Sequence, residues 1–293
     1  MIILRTRGGL GNQFFQYAAA RSLAQSVGAA LAFDGEWHRR HGLRFDRPFY
    51  LAHYRVRGAV SKPPFLMTCS NRLGGTVGRV LGRFAIALAG YQFFESNVIG
   101  FDPAFNRLGK RCIIEGDFQS PLYFNGIDSA LKNELVLNSP LPERWMKEVG
   151  RIRSQVSVCI QVRRSDYITH PGARAVHGLC DREYFVRAWQ HLLSCVPEAN
   201  GYVFSDDHVW ARSMFSDWRN VTIVGSEWDG PHYLYKFELM KSCRHFIIAN
   251  STFGWWAAWL GSSRESTVIV PQRWYANATV EECGLMIPSW IAM

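Results

Sequence analysis

From residue 156 to residue 270, short runs of β-branched and apolar residues alternate with stretches that repeat apolar residues at helical spacing. That alternation restricts the chain more than any other feature. The short runs fall at 156–162, 201–204, 221–224, 246–249 and 267–270, and helices are predicted at 181–195, 208–215, 233–243 and 252–260. In the first helix Tyr184, Phe185, Ala188, Leu192 and Leu193 share a face, and Asp181 stands at the cap. Strand-helix-strand units of this length require right-handed crossovers and a parallel sheet. The second half is therefore predicted as a doubly wound α/β domain.

The first half opens in the same way. Residues 1–4 read as a short buried strand, Arg5 to Gly11 (RTRGGLG) as a turn, and Asn12 as the cap of a helix. Phe14, Phe15, Tyr17, Ala18, Leu23 and Ala24 keep helical spacing up to Gly28. Residues 30–33 form a second strand ending at Asp34, which completes the start of a Rossmann-like layer. Residues 35–62 mix arginine, histidine and aromatics without a readable period. Further on, 77–89 reads as a helix, 111–118 as a strand and 127–137 as a helix; the prolines of 138–142 mark a linker. The expected division is 1–142 and 143–293, and a length of 293 residues suits two domains.

Composition narrows the function classes. With 48% hydrophobic and 14% aromatic residues the chain can bury a sizeable core, which excludes disorder. A net charge of +9 suits an anionic ligand: a nucleotide, a nucleic acid or an acidic membrane surface. No block of like charges and no nucleic-acid module is recognisable, so no nucleic-acid partner is expected. Seven scattered cysteines without a CxxC pair, and no signal-peptide core after MIILR, point to reduced thiols and a cytoplasmic location. The most apolar run, 84–94 (FAIALAGYQFF), is shorter than the ~20 residues that span a bilayer. Apolar all round, it is expected as a core helix. The alternative, with Arg72, Arg79 and Arg83 before it, is peripheral contact with the inner face of an anionic membrane.

The strand at 156–162 delivers Arg163 and Arg164, followed by Asp166, at its carboxyl end, where open α/β sheets bind ligands. Guanidinium suits an anionic oxygen cluster because its planar fork donates two parallel hydrogen bonds and stays charged. A surface pair neutralised by Asp166 is the structural alternative. Ser205, Asp206 and Asp207 end the next strand. Two carboxylates can hold a divalent metal; alternatively one meets a base or ribose while the other caps the helix from His208. The arginines favour the second reading, since they neutralise phosphate without a metal. Asn250, Ser251, Thr252 and Phe253 open a tryptophan-rich helix whose free amides make a second anion site. Gly8-Gly9-Leu10-Gly11-Asn12 is only a partial dinucleotide fingerprint, because Phe14 occupies the third glycine's place and no Walker lysine follows. It still lets a ligand approach the backbone closely at a helix start.

Four motifs appear in order: RGGLGNQFFQYAAARSLA, VSVCIQVRRSDY, VFSDD and FELMKSCRHFIIANSTFGWWAAWL. Together they resemble the bacterial α-1,2-fucosyltransferases of glycosyltransferase family 11. The resemblance implies a GT-B architecture of two Rossmann-like domains facing a cleft, GDP-fucose as co-substrate, and no metal or other cofactor. It further implies inverting transfer of fucose to the 2-hydroxyl of a galactose on a glycan or lipid-linked acceptor. Arg163 is then expected on the β-phosphate, with Arg164 supporting it and Asp166 orienting an arginine. Gln161, Asp206, Asp207, Ser251, Thr252 and Phe253 are expected around the nucleotide, and Gly9, Gly11 and Asn12 on the cleft from the other domain. The family usually has His where this chain has Gln161, and Gly where it has Ser165; its GYFQSE stretch reads here from Gly116 to Pro121 with Asp117 and Pro121 substituted. An amide cannot become a cation. A different GDP-sugar or linkage, or a catalytically silent binding homologue, are therefore the alternatives. Glu95, Glu115, Asp117 and Glu238 are eligible as general base.

Overall fold

The computed structural model describes all residues except 39–46, 62–74, 165–167 and 169–170. The chain divides into two compact units, Met1–Ser139 and Pro140–Met293. Each is built on its own parallel sheet.

In the first unit Ile2–Arg5 (β1) is buried along its whole length, as the uninterrupted run IILR requires of a strand covered on both faces. Leu10–Ser26 (α1) follows. Its cap is Gly9, in extended conformation and without a side-chain bond, so Asn12 lies inside the first turn rather than capping it as expected. Two buried glutamines take over the fastening. Gln13 Nε2 donates to Gly8 O at 3.0 Å, Gln13 Oε1 accepts from Tyr50 N at 2.9 Å, and Gln16 exchanges hydrogen bonds with the backbone of Arg7. Gly8 makes the tight turn possible: at φ +76 a side chain would be strained, and its Cβ would lie 2.7 Å from Asn12 Nδ2.

Leu31–Asp34 (β2), Ala59–Ser61 (β3), Gly75–Leu88 (α2), Gln92–Ser96 (β4), Cys112–Gly116 (β5) and Asp128–Glu134 (α3) complete the unit. All strands are parallel, in the order β3-β2-β1-β5-β4. β3 lies in the stretch where no period is readable. It is a three-residue, largely exposed edge strand, so nothing selects an apolar pattern there. The expectation of a core helix at 84–94 is corrected. The run breaks at Gly90 (φ +73) into the end of α2 and the start of β4. Ile86 packs with Ile3 and Ile113, while Val80, Leu81, Phe84 and Leu88 are exposed. A helix laid on one face of a sheet has only its inner side covered.

The second unit comprises Glu143–Arg153 (α4), Ser157–Val162 (β6), Pro171–His177 (α5), Arg182–Cys195 (α6), Asn200–Ser205 (β7), His208–Phe215 (α7), Val221–Val224 (β8), Leu234–Lys241 (α8), His245–Ile247 (β9), Thr252–Gly261 (α9) and Val268–Val270 (β10). A small ribbon of Arg273–Tyr275 (β11) and Ala278–Thr279 (β12) precedes Ile291–Ala292 (β13). Its main sheet is parallel, in the order β13-β10-β9-β6-β7-β8. Val158, Ile160, Val203, Ile247 and Ile269 from the strands pack with Tyr184, Phe185, Ala188 and Leu192 of α6, the face that the helical spacing picks out. Among the described residues no helix is long and apolar enough to cross a membrane.

Candidate functional site

From β6 the chain moves outward to β7 and β8, then returns to the other side of β6 to place β9, β10 and β13. The carboxyl ends of β6 and β9 therefore flank the point where strand order reverses, which is where loops diverge and leave a crevice in an open α/β sheet. Arg163 and Arg164 leave β6 at that point, and residues 250–253 leave β9.

The arginines are held by the end of β7. Arg163 Nη1 lies 3.0 Å from Asp206 Oδ2, and Asp206 Oδ1 accepts the Arg164 backbone amide at 2.8 Å. The Arg164 guanidinium stacks 4.2 Å above the Trp210 ring, with Nε 3.6 Å from Asp207 Oδ2, an ion pair too long for a hydrogen bond. Both remain accessible, the side chains being 30% and 16% exposed. The two carboxylates divide the work. Asp206 orients the arginines, while Asp207 Oδ1 accepts from Trp210 N at 3.0 Å and caps α7. Ser205 Oγ ties the turn by accepting from Asp207 N at 2.9 Å.

Across the reversal Ser251 is the extended cap residue of α9, and its side chain makes no cap bond. Thr252 and Phe253 form the first turn. Phe253 is set edge-on against Phe237 at 5.1 Å. Asn250 is spent on packing: its Nδ2 donates to His177 O at 2.6 Å and Trp274 O at 3.1 Å. Gln161 is 4% exposed; its Oε1 accepts from Ala249 N at 3.1 Å, and a Cβ on Gly254 would come within 2.5 Å of that oxygen. It ties β6 to the segment leading into α9, beneath the arginines. Asp166 lies outside the described residues.

One cation escaped the sequence reading. Lys236 on α8 is 5% exposed, donates to Ser205 O at 3.3 Å and pairs with Asp229. Its signal is a lysine inside the apolar stretch LYKFELM, since a lysine that far inside must be paired. The turn before α8 holds His232 and Tyr233 at φ 51 and 63, in the left-handed region.

In the first unit the corresponding reversal lies between β1 and β5. Gly9 is open there, with nothing within 4 Å of an added Cβ. Gly11 is buried in the first turn of α1, and Asn12 Oδ1 accepts from Gln119 Nε2 at 3.5 Å. Nearby Arg7 pairs with Asp117 at 3.2 Å, and the buried Arg5 lies between Asp34 (3.2 Å) and Glu115 (3.4 Å) with its face on Trp37. Burial pushes the Glu115 carboxyl above the usual range, and Arg5 and Arg7 oppose that without overcoming it. Glu95 and Glu238, also eligible as bases, are ion-paired with Arg83 and Lys241. Among the described residues no three His, Cys, Asp or Glu side chains converge as metal ligands.

Residues 114–293, more than half of the chain, match the profile of Glycosyl transferase family 11. The chain belongs to that family. An α-1,2-colitosyltransferase of Escherichia coli is 26% identical to this family member, over 99% of this chain and 98% of its own. Among solved structures, a point mutant of Arabidopsis thaliana FUT1 in complex with GDP aligns with 93% of this chain and 70% of its own, at a TM-score of 0.57 and 12% identity. NodZ α-1,6-fucosyltransferase soaked with GDP-fucose aligns with 88% of this chain and 91% of its own, at a TM-score of 0.52 and 15% identity. These two likenesses concern the fold, which is that of the GT-B glycosyltransferases.

Proposed function

We propose that this family 11 member is an inverting transferase that moves fucose from GDP-fucose to the 2-hydroxyl of a galactose residue on a glycan or lipid-linked oligosaccharide. It does so in the cytoplasm and without a metal. The observation that carries the reading is the placement of Arg163 and Arg164 where strand order reverses, held by Asp206, Asp207 and Trp210 beside the first turn of α9. As the bond between the sugar and the diphosphate breaks, negative charge grows on the leaving phosphate. A guanidinium already in position stabilises that charge more in the transition state than in the ground state and needs no reorganisation. The amides of Thr252 and Phe253 supply the second anion contact. Asp206 and Asp207 border the nucleotide as positioning residues, and Gly9 leaves room on the first unit for a closely approaching substrate. The GDP and GDP-fucose named with the two structural relatives support a guanosine diphosphate sugar as donor.

A second reading, GDP-colitose as donor, is favoured by the colitosyltransferase that aligns along nearly the whole chain. The test incubates the protein with each GDP-sugar and galactose-terminated oligosaccharides, with and without EDTA, and identifies products by mass spectrometry. Fucose transfer that survives EDTA is expected. Transfer from GDP-colitose alone would move the assignment to the second reading. GDP binding with neither transfer nor donor hydrolysis would make the chain a silent homologue.

A further inference from the structure

Helix α2 carries an apolar surface that the transfer chemistry does not use. At 100° per residue, the buried Gly82, Ala85 and Ile86 turn toward the sheet. Val80, Leu81, Phe84, Ala87 and Leu88 fall in a sector of about 120° on the opposite side. Val80, Phe84 and Leu88 are 62%, 63% and 66% exposed. Scattered apolar side chains on a surface need no explanation, but an uninterrupted apolar sector on a helix whose other side already serves the core does.

Cations frame this sector. Arg83 stands at its edge with a 64% exposed side chain, held over the Phe93 ring and paired with Glu95. Beyond the helix end the exposed Arg111 donates to Ala89 O at 2.7 Å and Gly90 O at 3.1 Å and lies over the Tyr91 ring, with the exposed Lys110 beside it in the chain. The helix is 14 residues, about 21 Å at 1.5 Å per residue, which suits lying in an interface and not crossing it.

We propose that this face of α2 seats the protein on an anionic phospholipid membrane. Val80, Leu81, Phe84 and Leu88 enter the boundary between headgroups and acyl chains, while Arg83, Lys110 and Arg111 meet lipid phosphates. The charge pattern chooses this occupant. Basic groups at one edge and at the end of an apolar strip complement an anionic lipid surface, and a chain with net charge +9 is drawn toward one. A second copy joined through the same face would bring the same cations together, which disfavours that pairing. The contact stands apart from the donor assignment, because it is read without turnover.

The experiment sediments the full chain with vesicles of phosphatidylcholine alone and with mixed phosphatidylglycerol–phosphatidylcholine vesicles, at low and high salt. Binding to the anionic vesicles, weakened by salt, is expected. The double variant Phe84→Glu/Leu88→Glu should lose at least about ten-fold in vesicle affinity. Arg83→Ala should lose about five-fold. Both variants should keep the wild-type melting temperature and the wild-type rate on a water-soluble acceptor. The proposal is overturned if wild type ignores anionic vesicles, if it binds neutral vesicles equally, or if the double variant binds like wild type. It is also overturned if the wild type is a dimer that this variant makes monomeric while vesicles stay unbound.

Discussion

Arg163 and Arg164 are adjacent in sequence and are positioned by different forces: the first by a carboxylate at 3.0 Å, the second by an aromatic face and its own backbone amide. Replacing Arg163 with alanine is expected to lower kcat by about 100- to 1,000-fold, the cost of removing one pre-placed donor to a developing anion. Its melting curve should be unchanged. Arg163→Lys should recover only part of the rate, because a point charge cannot reproduce the fork. His245 offers a test of stability. Its Nδ1 accepts from Thr267 N at 3.0 Å, and burial, then the neighbouring Arg244, hold its pKa below the ordinary histidine value. The unfolded chain takes up this proton more readily, so the contribution is fully present above the unfolded value of about 6.5 and is lost as pH falls below it. Melting temperatures measured from pH 7 to pH 5 should fall more steeply for wild type than for His245→Asn, whose amide oxygen accepts the same bond without titrating.

Two helices of the second unit begin with the same device. Asp181 Oδ1 accepts from Tyr184 N at 2.8 Å at the start of α6, and Asp207 Oδ1 does so from Trp210 N at the start of α7. Alanine at either position should cost about 1 kcal/mol of stability in chemical denaturation. Only Asp207→Ala should also slow transfer, because Asp207 additionally faces Arg164; equal rates for the two variants would detach Asp207 from the site. Element by element, the second half is legible where a helix such as α6 buries one face and a strand such as β6 is buried along its whole length, so the periods are clean. Residues 84–94 are not legible. They join the end of an amphipathic helix to a strand across Gly90, and a run of apolar residues with two periods looks like one buried element.

A nucleotide that binds the folded chain alone should stabilise it by about 2.7 kcal/mol at a hundred-fold excess over Kd. GDP is therefore expected to raise the melting temperature measurably, by the same amount with and without EDTA, and Arg163→Ala should remove most of the rise. A shift that needs Mg²⁺ would instead assign Asp206 and Asp207 to a metal. The sequence by itself determined the α/β class, the parallel sheet of the second unit, the glycine turn and the arginines at a strand end. Each of these follows from local periodicity or from side chains adjacent in the chain. Strand order was decided only by the tertiary structure, because parallel neighbours are chosen by crossovers between distant segments. That order sets Arg163 and Arg164 beside the start of α9, brings Asp206 and Lys236 to the same strand end, and buries Gln161 beneath them. Among the described residues it also leaves Val80, Leu81, Phe84 and Leu88 of α2 exposed, since a helix lying on a sheet can bury only one side.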